Sequence, residues 1–301
     1  MKIDLSRANA FRTCPMMYYE KYERGGNGIE PIPKGEDYGL LDLGGRVHEL
    51  LECYYKGLKG DPIPEYPAHP VEKCELEAQW MVEAYLAHYP QDNWRIVDVE
   101  RTFEVPLPGL CRETYLDWYD HDRGCEWCDK HMPIEHSLIG KIDLIIQDSE
   151  GAYYIVDHKT QKRSAKSNHP SKWKMRDQAS LYLFACDQIY KDFQVSNFLV
   201  NVLVRPSDKG MVPPTFLDRQ KLERSEDQIT TSVRDMVYIA DSIERMRTQF
   251  PSGNWLMNRE NCFDWTDCAF SLLHTFGEDT SLILKHKFQP RKEYLNLAEV
   301  S

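Results

Sequence analysis

Asp143 and Asp157 stand where aspartate is uncommon. Each lies in a strand-like run, Ile142-Asp143-Leu144-Ile145 and Tyr154-Ile155-Val156-Asp157, and strands are depleted in Asp. Between them Asp148-Ser149-Glu150-Gly151 reads as a turn. If the loop is the three residues 149–151, Asp148 pairs with Ala152 and Asp143 with Asp157. Such loops favour a type I turn closed by a left-handed residue, and Gly151 sits where that glycine is wanted. A two-residue loop would put the two aspartates on opposite faces. Alternation along the strand gives Asp157 and Lys159 one face, so two carboxylates and one ammonium converge. Like charges directly opposed on adjacent strands are unfavourable unless something neutralises them. A hard divalent cation does so, and Mg²⁺ takes one or two protein carboxylates plus waters and phosphate oxygens. An ammonium beside it can orient or deprotonate a water, or stabilise charge developing on a phosphate. A lone Asp-x-Lys is usually an exposed hairpin with scattered charge; the pair at matching register sets this one apart.

The residues after that strand are basic. Lys159, Lys162, Arg163, Lys166, Lys172, Lys174 and Arg176 occur with no Asp or Glu among them. We expect this loop to follow a nucleic-acid backbone, with Trp173 as a stacking platform. The nine cysteines are odd in number, which favours thiols or metal ligands over a disulfide framework. Cys111, Cys125, Cys128 and His131 could form a Cys₃His zinc site, with His121 or His136 in place of His131. Unliganded thiols are the other reading. Cys53, Cys74 and Cys186 fall in helical patterns and are expected in the core.

Four short patterns occur in one order: Gly45-Arg46-Val47-His48, Gly140-Lys141-Ile142-Asp143, Asp157-His158-Lys159 and Gln178-Ala179-Ser180-Leu181-Tyr182. Together they resemble the PD-(D/E)XK nuclease superfamily, in its RecB-like exonuclease branch, over most of the chain. The resemblance implies a restriction-endonuclease-like α/β fold, a mixed central sheet flanked by helices. It implies a Mg²⁺- or Mn²⁺-dependent deoxyribonuclease with Asp143 and Asp157 as metal ligands, joined by the His158 carbonyl. Lys159 would serve the attacking water, and His48 would lie at the metal or the adjacent phosphate. Gln178 and Tyr182, four apart, would present one helical face to the site. Glu100 is a further acidic candidate. Some relatives hold an iron–sulfur cluster on one N-terminal and three C-terminal cysteines. Cys14, Cys262 and Cys268 match three of those positions, and Arg259 stands at the fourth. Three thiolates do not complete a Cys₄ set. The implied setting is bacterial or phage DNA recombination and repair, beside a strand-annealing protein or a helicase, since no P-loop is present. The alternative is a DNA-binding or regulatory module on a nuclease fold, without turnover.

The elements that must position these groups are legible from periodicity. Helices are predicted over Ser6 to Tyr22, Leu41 to Tyr55, Val71 to His88, Met175 to Tyr190 and Glu223 to Thr248. Strands are predicted from Arg95 to Val105, Leu138 to Ile146, Ala152 to Lys159 and Phe198 to Val204. Strands interleaved with helices give a mixed sheet covered on its faces. We expect one nuclease domain over 1–301, a Cys/His-rich insertion at 109–137, and a Cys-containing tail at 250–301 packing on the core.

The chain has 301 residues, 37 Lys+Arg against 48 Asp+Glu, and a net charge of −11. Its 42% hydrophobic and 28% charged fractions are those of a globular protein. No apolar run approaches the roughly 18–20 residues of a membrane span, and the first residues lack the apolar stretch of a secretion signal. These features predict a cytoplasmic protein. The acidic balance excludes a general polyanion-coating role but leaves room for local positive charge beside a site.

Overall fold

The computed structural model describes residues 1–32, 38–90, 92–109, 135–162, 171–207, 212–262, 267–275 and 280–292. In chain order these form β1 (Lys2–Ile3), α1 (Leu5–Thr13), α2 (Pro15–Tyr22), β2 (Ile29–Pro31), α3 (Leu40–Lys59) and α4 (Glu72–His88). Next come β3 (Arg95–Leu107), β4 (His136–Gln147), β5 (Tyr153–Gln161), α5 (Ser171–Lys174), α6 (Asp177–Ile189), β6 (Val195–Val204) and β7 (Thr215–Glu223). The chain closes with α7 (Glu226–Gln249), α8 (Ser271–Thr275), α9 (Ser281–Lys287) and β8 (Phe288–Pro290). No described helix is long and apolar enough to cross a membrane.

Two compact units emerge. One comprises Gly35–Phe103 and Lys141–Ser232; the other comprises Met1–Lys34, Glu104–Gly140 and Val233–Ser301. In the first, β4 and β5 are antiparallel, β5 and β6 parallel, and β6 and β7 antiparallel, with β3 beside β4. This is a mixed sheet, with helices on its faces. Leu144, Ile146 and Val156 pack with Val47, Leu51 and Tyr55 of α3 and with Ala78, Met81 and Tyr85 of α4. Ile145 and Ile155 alternate to the opposite face and are also buried. The long α3 ends at Gly60, whose φ of 84° supplies the left-handed cap that glycine adopts without strain.

The hairpin has the expected three-residue loop. Gln147 lies opposite Tyr153 and Leu144 opposite Val156, and the Asp143 carboxylate, next along β4, accepts the His158 amide of β5 at 2.8 Å. The Asp148 amide donates to Ala152 O at 3.0 Å, and Asp148 Oδ1 accepts from the amides of Glu150 and Ala152. Gly151 takes φ 89°, the left-handed position that closes this turn.

Beneath β5 lies a buried polar network. Asn201 Nδ2 donates to the Tyr85 hydroxyl at 2.6 Å, and that hydroxyl is 3.0 Å from Tyr55 Oη. Arg219 holds Asp92 through two bonds, donates to Asn201 Oδ1 at 2.9 Å, and lies over the Tyr89 ring. Satisfied networks of this kind rigidify the core they thread.

Several expectations shift. The helix predicted over Ser6 to Tyr22 is two helices, broken at Cys14, with Pro15 opening the second. Asp4, not Ser6, caps the first: its carboxylate accepts from the Arg7 amide at 2.8 Å. β7 had no counterpart in the sequence reading. The tail contains short helices and β8, which pairs with β2 and packs Phe288 against Phe270. The insertion's Cys111, Cys125, Cys128, His121 and His131 lie outside the described residues. His136 is buried, with Nε2 3.1 Å from Asp241 and Nδ1 3.0 Å from the Met1 amine.

Leu144 is completely enclosed. Leu144→Ala should therefore lower the unfolding free energy by about 2–5 kcal/mol. A urea titration followed by tryptophan fluorescence checks this, and a loss below about 1 kcal/mol would contradict the packing described.

Candidate active site

The site is assembled within the unit that contains the hairpin. β4 contributes Asp143, β5 contributes Asp157 and Lys159, α3 contributes His48, β3 contributes Glu100, and α6 contributes Gln178. His48 Nδ1 lies 3.5 Å from Asp143 Oδ2 and 3.8 Å from Glu100 Oε1. One ligand atom from each of His48, Glu100 and Asp143 falls within 4.8 Å of the others, a spacing that could hold a metal ion. Asp143 Oδ2 also accepts the His158 amide at 2.8 Å, which fixes the carboxylate against β5.

Asp157 is 2 % exposed. Its Oδ1 accepts from Lys159 Nζ at 2.7 Å and from Gln178 Nε2 at 2.8 Å. Its Oδ2 is buried with no hydrogen-bond partner among the described residues. A buried carboxylate oxygen without a donor is costly, and a cation would satisfy it. Burial, opposed by Lys159 and reinforced by Asp143, pushes the Asp157 pKa up to about 6. Burial disfavours the His48 charge, but Asp143 and Glu100 outweigh it and raise its pKa to about 9. Three carboxylates, Glu100, Asp143 and Asp157, thus face three cations, Lys141, Lys159 and the protonated His48. Electron-rich N and O donors facing a shared space, with one orphaned oxygen, suit a hard divalent ion.

Glu100 has φ 50°, a left-handed conformation that costs a non-glycine residue roughly 1–3 kcal/mol. From that conformation its carboxylate meets both His48 and Lys141, whose ammonium pairs with it. Lys141 was not singled out by the sequence reading. It shares strand parity with Asp143, and that parity was the available signal. His158 lies on the opposite side of β5. Its ring stacks on Tyr55 at 5.8 Å and meets Tyr85 and His48 edge-on. Burial, then the charge of His48, drops its pKa well below the usual range, so it stays neutral behind the site.

Of the expected residues, the structure gathers His48, Glu100, Asp143, Asp157, Lys159 and Gln178. Tyr182, on the same helix as Gln178, meets Phe103 and Phe198 edge to face and tilted. Trp173 is corrected: it is 6 % exposed and its ring lies under Arg176, so it is a buried ring rather than an open stacking surface. Lys174 and Arg176 are exposed. Lys162 precedes a stretch holding Arg163 and Lys166, which are outside the described residues, as is the Lys172 side chain.

In the other unit, Cys14, Cys262 and Cys268 converge. Cys14 Sγ accepts the Asn258 amide at 3.3 Å, Cys262 Sγ lies 3.9 Å from Asn258 O, and the Cys268 amide bonds to Cys262 O at 2.8 Å. Burial raises the Cys268 thiol, and both other thiols add to the effect. The set does not fit a four-thiolate cluster: the fourth position is Arg259, and no further described cysteine joins the three.

A sequence profile of the PD-(D/E)XK nuclease superfamily matches residues 4–271. No curated protein matches the chain. Among solved structures, one titled "Crystal structure of SSO0001" aligns over 71% of this chain and 78% of that one, at 13% identity and a TM-score of 0.33. That likeness is too slight to build on.

A cation entering this site must displace the proton held on His48, so binding releases protons. Between pH 6 and 9 the apparent Mn²⁺ affinity should rise with pH, approaching tenfold per unit for each proton displaced. Calorimetric titration across that range tests this; a flat pH profile would argue against His48 as a ligand.

Proposed function

The chain belongs to the PD-(D/E)XK nuclease superfamily, and on that premise we propose that it is a divalent-metal-dependent deoxyribonuclease acting as an exonuclease in DNA recombination or repair. The observation that carries this reading is the cluster of His48, Glu100 and Asp143 beside a buried Asp157 bound by Lys159. A structural ion-pair network would pair its carboxylates fully; here an Asp157 oxygen is left over. The exonuclease mode, Mg²⁺ or Mn²⁺ as the ion, and a strand-annealing or helicase partner in the cytoplasm of a bacterial host rest on the RecB-like resemblance.

His48, Glu100, Asp143 and Asp157 would hold the ion. When bound, a divalent cation supplies positive charge to phosphate oxygens and lowers the pKa of water. Gln178 fixes Asp157 by its amide, leaving Oδ2 directed by that bond. Lys159 donates to the same Oδ1 and so carries an ammonium at the edge of the carboxylate group. From there it orients the attacking water and offsets charge growing on the phosphorus-bound oxygens. The water's oxygen forms the new bond to phosphorus as the bond to the leaving strand oxygen breaks. Lys174 and Arg176, exposed beside α6, supply cations for the DNA backbone.

Asp157→Asn and Lys159→Ala should each reduce metal-dependent cleavage of labelled DNA by about 10²–10⁴-fold, with unchanged far-UV circular dichroism. Cleavage by either purified variant at the wild-type rate, in Mg²⁺ or Mn²⁺, would overturn the assignment. Single and double strands labelled at either end resolve polarity and exonuclease mode.

A further inference from the structure

Lys141 stands in the site with no part in the chemistry above. It lies two residues before Asp143 on β4, so both side chains leave one face of the strand. Its ammonium contacts Glu100 Oε2, an oxygen that is enclosed and makes no aligned hydrogen bond. The Glu100 side chain is 6 % exposed and that of Lys141 45 %. A cation that reaches solvent thus covers the outer oxygen of a buried carboxylate.

The other two carboxylates are divided in the same way. Asp143 Oδ2 accepts the His158 amide at 2.8 Å. Asp157 Oδ1 accepts from Lys159 Nζ at 2.7 Å and from Gln178 Nε2 at 2.8 Å. Glu100, Asp143 and Asp157 therefore each commit one oxygen to a protein donor and keep the other uncommitted among the described residues. One divalent ion can use such a set together with His48. Two catalytic ions stand about 3.5–4 Å apart, and ions that close share a carboxylate that gives an oxygen to each. A second ion on Glu100 or Asp157 would have to sit beside the Lys141 or the Lys159 ammonium, like charge against like.

The charges lead to the same count. His48 must be neutral to ligate an ion. Three carboxylates against the Lys141 and Lys159 ammonium groups then leave one negative charge. One divalent ion and one phosphodiester, which carries a single negative charge, bring the site to neutrality. A second ion would leave it two charges positive. We propose that this site takes one divalent ion rather than two, and that the Lys141 ammonium on Glu100 stands in place of the second. The inference rests on the metal-dependent nuclease reading and adds to it the number of ions and the residue that sets it. Lys141 is a positioning residue here, acting through Glu100.

The test titrates the full chain, stripped with EDTA and dialysed, with Mn²⁺ in the absence of DNA. Calorimetry gives the number of ions, and electron paramagnetic resonance shows whether bound ions are isolated or coupled as a close pair. Ions that still bind to Asp143→Asn belong elsewhere on the chain and are subtracted. Wild type should bind one Mn²⁺ at the site, with the spectrum of an isolated ion. Lys141→Met removes the charge and keeps much of the length; it should bind two, the second more weakly, with the spectrum of a coupled pair. Lys141→Arg keeps the charge and should stay at one. Two ions in the wild-type site, or one in Lys141→Met, overturns the inference and leaves the nuclease reading standing. No difference between wild type and Asp143→Asn overturns both. The wild-type count needs no variant of Lys141, so it decides the number of ions even should Lys141→Met fold poorly.

Discussion

The register of one hairpin governs the chemistry of the hairpin-containing unit. Three loop residues set Asp148 against Ala152, and the pairing runs from there to Leu144 and Val156, which brings Asp143 and Asp157 to the adjoining positions. The carboxylates repel, and an isolated pair of strands would slip or splay to separate them. They are kept in place because Leu144, Ile146 and Val156, their immediate neighbours, are locked beneath α3 and α4. Side-chain period in a strand is two residues, so the same packing that buries these apolar groups commits the aspartates to the other face. Hydrophobic burial thus sustains an electrostatic arrangement that would not persist by itself.

Around that pair the charges are arranged by distance from solvent. Asp157 is enclosed, and its bonds come from Lys159 and Gln178; the Glu100 side chain is also buried, while His48 and Lys159 are the more open groups. The neutral His158 behind β5 belongs to the Tyr55, Tyr85, Asn201 and Arg219 network, which braces the strand from the far side. A net charge of −11 argues against a protein that coats nucleic acid along its length. The structure divides that figure: acidic groups concentrate at the site, while Lys174 and Arg176 are exposed cations on the segment that leads into α6.

The hairpin was legible in the sequence because Asp in an aliphatic strand and Gly at a turn each have few physical explanations. Helices α3 and α4 and strands β3 to β6 followed from periodicity. Other features left weaker marks. The break at Cys14 was hidden because Pro15 suits the first turn of a helix as well as a boundary. β7 escaped because Asp218, Arg219 and Lys221 interrupt its alternation, although Arg219 turns inward to Asp92. Trp173 sat among cations and read as exposed; neighbours in sequence do not report burial. The left-handed backbone of Glu100 has no sequence signature at all, since glutamate rarely adopts it, and Lys141 carried only its strand parity with Asp143.

The two strand pairings made by β5 differ in how far the chain must travel to form them. Its antiparallel partner β4 is reached through a three-residue turn, a closure on the microsecond scale. Its parallel partner β6 is reached only after a crossover containing α6, a longer loop with a larger entropic cost. The two aspartates therefore depend on a local contact, while the Gln178 bond to Asp157 depends on the crossover. Were the hairpin to close before the crossover docks, its two acidic groups would come together before their amide brace is present. A divalent ion available at that stage would favour the hairpin register before the rest of the sheet has formed.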